Sequence, residues 1–365
     1  MLWFWVFVGP ALILAAAALW GEQARAAYVS GALAGEPGTS LPPASVIVPV
    51  TGGGPEVGRA LHALRTQDYP NYELLVVTAR AENIPPDALP NGVIVILPDE
   101  SAPIAGGAGL LMTAIRMTRK NSQIFAFAEG SGEYSKDWLR ALATPLAQDG
   151  VGASTGYRWY LPEPPDFWSL MRSVWNAPIA GLFGPGNAPF AWSGAMAIRK
   201  EIFFEALVPD FWKASRDAAS GLTAAMRAAH LTIAFAPAAL VALDDRIGAA
   251  QFFRSAREEV TAERAEHPRL WWLTLIFYTL QCGAMAAALG ASVGGSRGAE
   301  WALVALWGLT MLKGTNHATL AKAQFPARKA WFDRYGWVHS WWVPLAMWVW
   351  LAVMFSSLGP RNKRV

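Results

Sequence analysis

Cysteine is nearly absent. Cys282 is the single one in 365 residues, so the chain can build neither a disulfide framework nor a cysteine-based metal site. Histidine is scarce too, with five scattered copies. His230 follows a helical stretch, at a position where glycine is common as a cap, and reads as structural rather than as a ligand. Charge is thin at 16 % and the net charge is only +3, so nucleic acid is not an indicated partner. No Gly-x-Gly-x-x-Gly or P-loop pattern occurs. What the chain has in excess is apolar surface. Hydrophobic residues make up 53 %, nineteen tryptophans are present, and the mean hydropathy is +0.25. Tryptophan concentrates where an apolar ring must also reach a wet edge.

The apolar residues are unevenly spread. Leu2 to Trp20 carries no charge and reaches the ~20 residues needed to cross a bilayer. It lacks the basic start of a cleaved signal peptide, and the first basic residue, Arg25, follows it. It is therefore expected to be an uncleaved anchor over residues 1–21, with the N-terminus outside and Arg25 inside. Three further stretches, Leu270 to Val293, Glu300 to Leu312 and Trp341 to Leu358, are expected spans within a membrane region over 268–365. The loop carrying Lys322, Arg328, Lys329 and Arg334 points to the cytoplasm, as does the tail RNKRV. Four simple spans cannot put both on one side, so the C-terminal topology stays open. Residues 22–43, rich in Ala, Gly, Pro and Ser, are expected to be a linker.

Between these regions the pattern changes. Ala44 to Val50 reads as a short buried strand, and Glu73 to Val77, Val93 to Leu97 and Ile124 to Ala128 read as further strands. Glu56 to Gln67 has helical spacing, with Val57, Ala60, Leu61 and Leu64 on one face. Strands alternating with helices predict an α/β fold with a mostly parallel sheet. Ligands in such folds sit beyond the carboxyl ends of the strands, where TGGG, TARAEN and EGSGE fall.

SVIVPVTGGGPEVGRALHALRTQDYPNYELLVV resembles the opening of family 2 glycosyltransferases, and especially their membrane-bound ceramide-glucosyltransferase-like branch. VGASTGYRWY, FAWSGAMAIRKEIF, AAMRAAHLTIAFAPAALV and HPRLWW follow in the order of that branch. The resemblance covers roughly Ser45 to Trp272. It implies a glycosyltransferase A-type, Rossmann-like α/β domain over 44–267, with membrane-surface segments, between N-terminal and C-terminal transmembrane helices.

Sugar transfer from a nucleotide donor needs positive charge on the leaving diphosphate, a base for the acceptor hydroxyl and a grip on the donor. The resemblance assigns each need to a position, and each position departs. Where a nucleoside-binding carboxylate is implied, the chain offers Thr78, Ala79 and Arg80, with Glu82 displaced. The loop implied to carry a lysine, Ile104 to Leu111, holds no cation. The implied metal-binding Asp-x-Asp aligns with Glu129, Gly130 and Ser131. One carboxylate and one hydroxyl make a poor Mg²⁺ or Mn²⁺ site unless substrate phosphates complete it, so no metal is expected there. The implied base falls on Ala218 and Ala219. The neighbouring Asp217 is either a substitute base or a helix N-terminal carboxylate favoured by the dipole. In the last motif Glu258 and Glu259 stand where an Arg-Gln pair is implied, with Arg254 or Arg257 left to contact a donor.

Two functions follow. In the preferred one the chain is a catalytically degenerate pseudoenzyme, a binding or structural subunit of a membrane assembly that needs no cofactor. In the alternative it is an active enzyme that moves a sugar from a nucleotide donor, with Mg²⁺ or Mn²⁺, onto a lipid acceptor. Either way it is expected to be an integral membrane protein with its main domain on the cytoplasmic side. Its expected partners are the lipid bilayer and other membrane subunits. The aromatic segment Tyr157 to Trp192 is expected either to dip into the headgroup layer through Phe167, Trp168, Leu170, Met171 and Trp175, with Arg172 at phosphate level, or to pack on the chain's own C-terminal helices.

Overall fold

The computed structural model describes residues 2–35, 38, 41–85, 89–97 and 106–359. Ile104 and Ala105 of the glycine-rich loop, and the basic tail, lie outside them. The chain forms two compact units.

The first unit comprises the described residues of 27–159 and 182–243. Its strands are β1 (Ala44–Pro49), β2 (Tyr72–Val77), β3 (Val93–Ile96), β4 (Ile124–Ala128), β5 (Val151–Thr155), the short β6 (Arg158–Tyr160), β7 (Ala195–Arg199), β8 (Thr232–Phe235) and β9 (Val241–Leu243). Seven of them form one sheet in the order β3-β2-β1-β4-β7-β5-β8. β1 runs parallel to β2 and β4, so that Ile47 lies opposite both Leu75 and Phe127. β7 is antiparallel to both of its neighbours.

The apolar runs account for this sheet. Val46, Ile47 and Val48 are buried, as are Leu74 to Val77 and all of β4, which is what a sheet covered on both faces requires. The helix after β1, Pro55–Arg65, buries Val57, Ala60, Leu61 and Leu64, the four residues that its spacing singled out. Such a crossover returns the chain to the sheet edge in parallel.

The second unit comprises the described residues of 1–26, 160–181 and 244–365. Among the described residues two helices are long and apolar enough to cross a membrane: Phe4–Ala34, whose residues up to Ala26 belong to this unit, and Pro268–Val293. The first overruns the linker expected over 22–43, because Ala26, Ala27, Ala32 and Ala34 are strong helix formers. The stretch expected as Glu300 to Leu312 lies inside a 28-residue helix, Arg297–Gln324. Lys313, Asn316 and His317 lower its hydropathy without breaking it. The last apolar helix, Val343–Ser356, has 14 residues, short of a full span.

Segment Tyr160–Gly181 belongs to this unit. Its helix, Phe167–Ala180, buries Leu170, Met171 and Trp175. Trp175 stacks on Trp350 at 4.3 Å, and Trp350 on Tyr278 at 5.5 Å. Of the five apolar residues expected at the headgroup layer, Phe167 is the exposed one and Trp168 is half-buried. Arg172 pairs with Asp245, donates to the Tyr160 hydroxyl at 3.0 Å and lies 4.0 Å over its ring. Packing on the chain's own helices thus claims most of this segment.

Glu22, Arg25 and His317 are buried here although charged or polar. Glu22 Oε1 lies 2.7 Å from His317 Nε2, and Arg25 Nη1 lies 3.5 Å from Glu22 Oε2.

Candidate functional site

In the sheet unit the loops after β1, β2 and β4 leave the same carboxyl edge, and two glycines let them close up. A Cβ on Gly53 would lie 3.0 Å from the carbonyl oxygen of Asn83, so the first two loops abut. A Cβ on Gly130 would lie 3.2 Å from Val50 Cγ2, so the third closes on the end of β1. Any larger residue there would push the loops apart. This edge brings Thr78, Arg80 and Glu82 together with Glu129 and Ser131. Arg257 belongs to the other unit, on the exposed face of helix Ala249–Glu266.

Thr78 is fully buried and its hydroxyl is used locally. It donates to the Arg80 carbonyl at 3.0 Å and accepts from the Asn83 side-chain amide at 3.1 Å. The loop is thereby held by its own side chains. The Arg80 and Glu82 side chains are exposed.

After β4 the chain makes a tight turn. Tyr134, buried, donates its hydroxyl proton to the Glu129 carbonyl at 2.7 Å and accepts the Glu129 N–H at 2.6 Å. Burial, then the nearby Glu129 charge, push this phenol well above its ordinary value. It is therefore a neutral donor. Nothing in the sequence pattern singles Tyr134 out, because a phenol reaching back five residues across a turn leaves no periodic trace. The Glu129 side chain is half-buried, and its Oε1 accepts from the Ser131 hydroxyl at 3.3 Å. Glu133 pairs through its backbone with Ala242.

A divalent ion does not fit this turn. Glu129 supplies one carboxylate and Ser131 a weak neutral oxygen, where a hard cation takes several oxygens. Among the described residues no group of three His, Cys, Asp or Glu could hold a metal.

The place that the resemblance implies for a base carries two alanines. Ala218 is buried and Ala219 half-buried, at the start of helix Ala218–Ala228. Asp217 caps that helix. Its Oδ1 accepts from the Ser220 N–H and the Ser220 hydroxyl, each at 2.8 Å, and its Oδ2 pairs with Arg216 at 2.9 Å. A cap at this place satisfies amide groups the helix cannot bond itself. Gly221 and Trp212 seat the helix: a Cβ on Gly221 would lie 2.6 Å from Trp212 Cδ1, and Trp212 packs edge-on against Phe127 of β4 at 5.5 Å.

In the other unit, Glu258 is exposed and Glu259 half-buried on the same helix as Arg254 and Arg257, both exposed. His230, after helix Ala218–Ala228, takes a left-handed φ of 55° and is exposed, a structural position.

Comparison with known families agrees with this architecture. Residues 45–205 match the family described as Glycosyl transferase family 2, and residues 3–85 match Glycosyl transferase family 21. With the sheet order, the first match defines a glycosyltransferase A-type α/β domain. No curated protein matches the chain. Among solved structures, a mannosyltransferase from Pyrobaculum calidifontis in complex with GDP-Man and Mn²⁺ is similar at 18 % identity, over 94 % of this chain and 99 % of that one, with a TM-score of 0.46. GalNAc-T7 with UDP, GalNAc and Mn²⁺ is similar at 13 % identity, over 57 % and 45 %, with a TM-score of 0.42. A mycobacterial protein is similar at 16 % identity, over 65 % and 77 %, with a TM-score of 0.40.

Proposed function

We propose that the chain is a glycosyltransferase-like membrane protein that has given up sugar transfer and serves as a binding or structural subunit of a membrane assembly, its sheet unit on the cytoplasmic face. One observation carries this reading. The base position holds Ala218 and Ala219, and the adjacent carboxylate of Asp217 is committed to Ser220 and Arg216. A carboxylate whose oxygens are taken up by a helix cap and an ion pair is not presented to an acceptor hydroxyl. Thr78 and the single carboxylate of Glu129 support the same reading at the donor and metal positions.

The alternative, an active enzyme moving sugar to a lipid at that face, would rest on Glu129 with metal and substrate phosphates completing the site. Melting of the purified full chain distinguishes the two. UDP or GDP with Mn²⁺ is expected to leave the transition where it is. A bound nucleotide at 100 times its Kd would add about 2.7 kcal/mol. A metal-dependent rise at sub-millimolar nucleotide, or sugar transfer onto lipid by membranes carrying the unmodified chain, would overturn the proposal.

A further inference from the structure

The unit that carries the apolar helices also holds an open cavity of about 460 Å³, lined by Asp166, Phe167, Trp168, Arg246, Ile247 and Gly248. None of these residues belongs to the degenerate site. Their chemistry is specific. Arg246 Nε lies 3.9 Å from Asp166 Oδ2, and the Arg246 side chain is 57 % exposed. Among the described residues its two Nη groups have no hydrogen-bond partner. Asp166 caps helix Phe167–Ala180. Its Oδ1 accepts the Trp168 and Ser169 N–H groups, each at 3.0 Å, and its Oδ2 accepts the Ser169 hydroxyl at 3.0 Å. The Ser169 bonds hold the carboxyl below its ordinary range, so it is charged at neutral pH. An ionised carboxylate has about four acceptor positions, which leaves one on Oδ2 open beside Arg246. The two walls are tied together, since the Ile247 N–H donates to Ser169 Oγ at 3.1 Å.

The place of the cavity is informative as well. Phe167, on its rim, packs on Trp342 at 5.0 Å, and Trp342 lies edge-on to Trp337 at 6.1 Å. Trp342 is the residue from which the apolar helix Val343–Ser356 starts. Trp337 and Trp341 are more than half exposed. On the other side Trp168 packs on Phe253, which is also exposed. Tryptophans clustered at the end of an apolar helix mark the headgroup level of a bilayer. The cavity therefore opens at that level, given that the apolar helices lie in the membrane.

We propose that this cavity holds the headgroup of a zwitterionic amino-phospholipid from the surrounding bilayer. The phosphate sits on the free Nη groups of Arg246. The ammonium sits against Asp166 Oδ2 and the ring faces of Phe167 and Trp168. Guanidinium groups match phosphate geometry, and aromatic faces attract ammonium ions. A paired cation and anion beside aromatic walls complements a headgroup that itself carries both charges. A headgroup with phosphate alone would leave its charge facing Asp166.

The test uses the full chain, purified in detergent, stripped of lipid and titrated with phosphatidylethanolamine, phosphatidylglycerol or diacylglycerol. Native mass spectrometry counts the lipid retained. The expected result is retention of phosphatidylethanolamine several-fold above the other two. Arg246→Gln should weaken it about tenfold, the scale of a lost charge-assisted hydrogen bond, and Arg246→Lys should recover part. Arg246 is half-exposed, so neither change should move the melting transition. Phe167→Leu, which keeps bulk but removes the ring, provides a second reading through loss of the preference for the amine headgroup. Equal retention of phosphatidylethanolamine and phosphatidylglycerol would overturn the proposal. So would retention by Arg246→Gln as tight as that of the unmodified chain, or equal retention of diacylglycerol.

Discussion

The hydroxyl of Tyr134 holds both ends of the Glu129 backbone, donating to its carbonyl at 2.7 Å and accepting from its N–H at 2.6 Å. One side chain thus closes the turn after β4. It does so from a buried position, packed edge-on against Trp138 at 5.0 Å. This phenol holds the shape of the turn.

Tyr134→Phe keeps the ring and its packing but leaves the Glu129 carbonyl and N–H without this partner. The Glu129 carbonyl keeps the Gly132 N–H at 3.4 Å, so the loss is that of the two phenol hydrogen bonds, about 1 kcal/mol each. The expected outcome is a melting temperature lower by several degrees in detergent-solubilised protein, with native circular dichroism at low temperature. An unchanged transition would mean that the turn is held by something else.

Glu129→Ala tests the side chain in place of the backbone. Its carboxylate is half-buried and meets the Ser131 hydroxyl at a long 3.3 Å. Removal is expected to cost no more than about 0.5 kcal/mol, as for an ordinary surface change. Rebuilding the acidic pair with Glu129→Asp and Ser131→Asp is expected to yield no sugar transfer, since Ala218 and Ala219 still provide no base. Radiolabelled transfer assays on membranes carrying each variant check both expectations.

How far the sequence exposed all this depends on the range of the interactions involved. Strands β1, β2 and β4 and the first crossover helix were legible because burial on both faces writes continuous apolar runs, and burial on one face writes the spacing of Val57, Ala60, Leu61 and Leu64; β3 carries the same kind of run at the sheet edge with Ile94 and Val95 exposed. The extent of the membrane-side helices was less so. Helix Leu2–Ala34 continues past Gly21 because alanine favours helix as strongly as apolar length does, while a search for apolar runs stops at Glu22. Helix Arg297–Gln324 hides Lys313 and His317 for the same reason. The departures at Glu129, Ala218 and Ala219 were visible as letters. Which groups already occupy the neighbouring Thr78 and Asp217 was not, since the loop after β2 closes on its own side chains and Asp217 divides its oxygens between Ser220 and Arg216.

Asp217 separates a cap from a base. Asp217→Asn keeps an acceptor for the Ser220 N–H, and Asp217→Ala removes it. If the residue is a cap, the Asn variant should melt within a degree or two of the unmodified chain, and the Ala variant should lose about 1 kcal/mol. A base would show the opposite dependence, with Asn as damaging to function as Ala at unchanged stability. Thermal melting of the two variants, together with their effect on growth of cells that depend on the protein, decides between them.

The buried ion cluster of the helical unit makes the sharpest demand on stability. Glu22 is 5 % exposed, Arg25 4 % and His317 3 %, and the ammonium of Lys313 shares the field of Glu22 and Arg25. Glu22 is the carboxylate that faces Arg25 and Lys313, at 3.5 Å from Arg25, and it lies 2.7 Å from the ring nitrogen of His317. Removing one partner of a buried ion pair leaves the other charge uncompensated and costs about 3–5 kcal/mol. Glu22→Gln preserves size and some hydrogen bonding, so any loss it causes reports the charge itself. It is expected to lower the detergent melting temperature more than any variant above. Adding Lys313→Met removes one of the cations that Glu22 balanced, and the double variant should melt above Glu22→Gln alone. If Lys313→Met alone and Glu22→Gln alone cause losses that simply add in the double variant, Lys313 and Glu22 do not act on each other, and the cluster is held by His317 and Arg25 without Lys313.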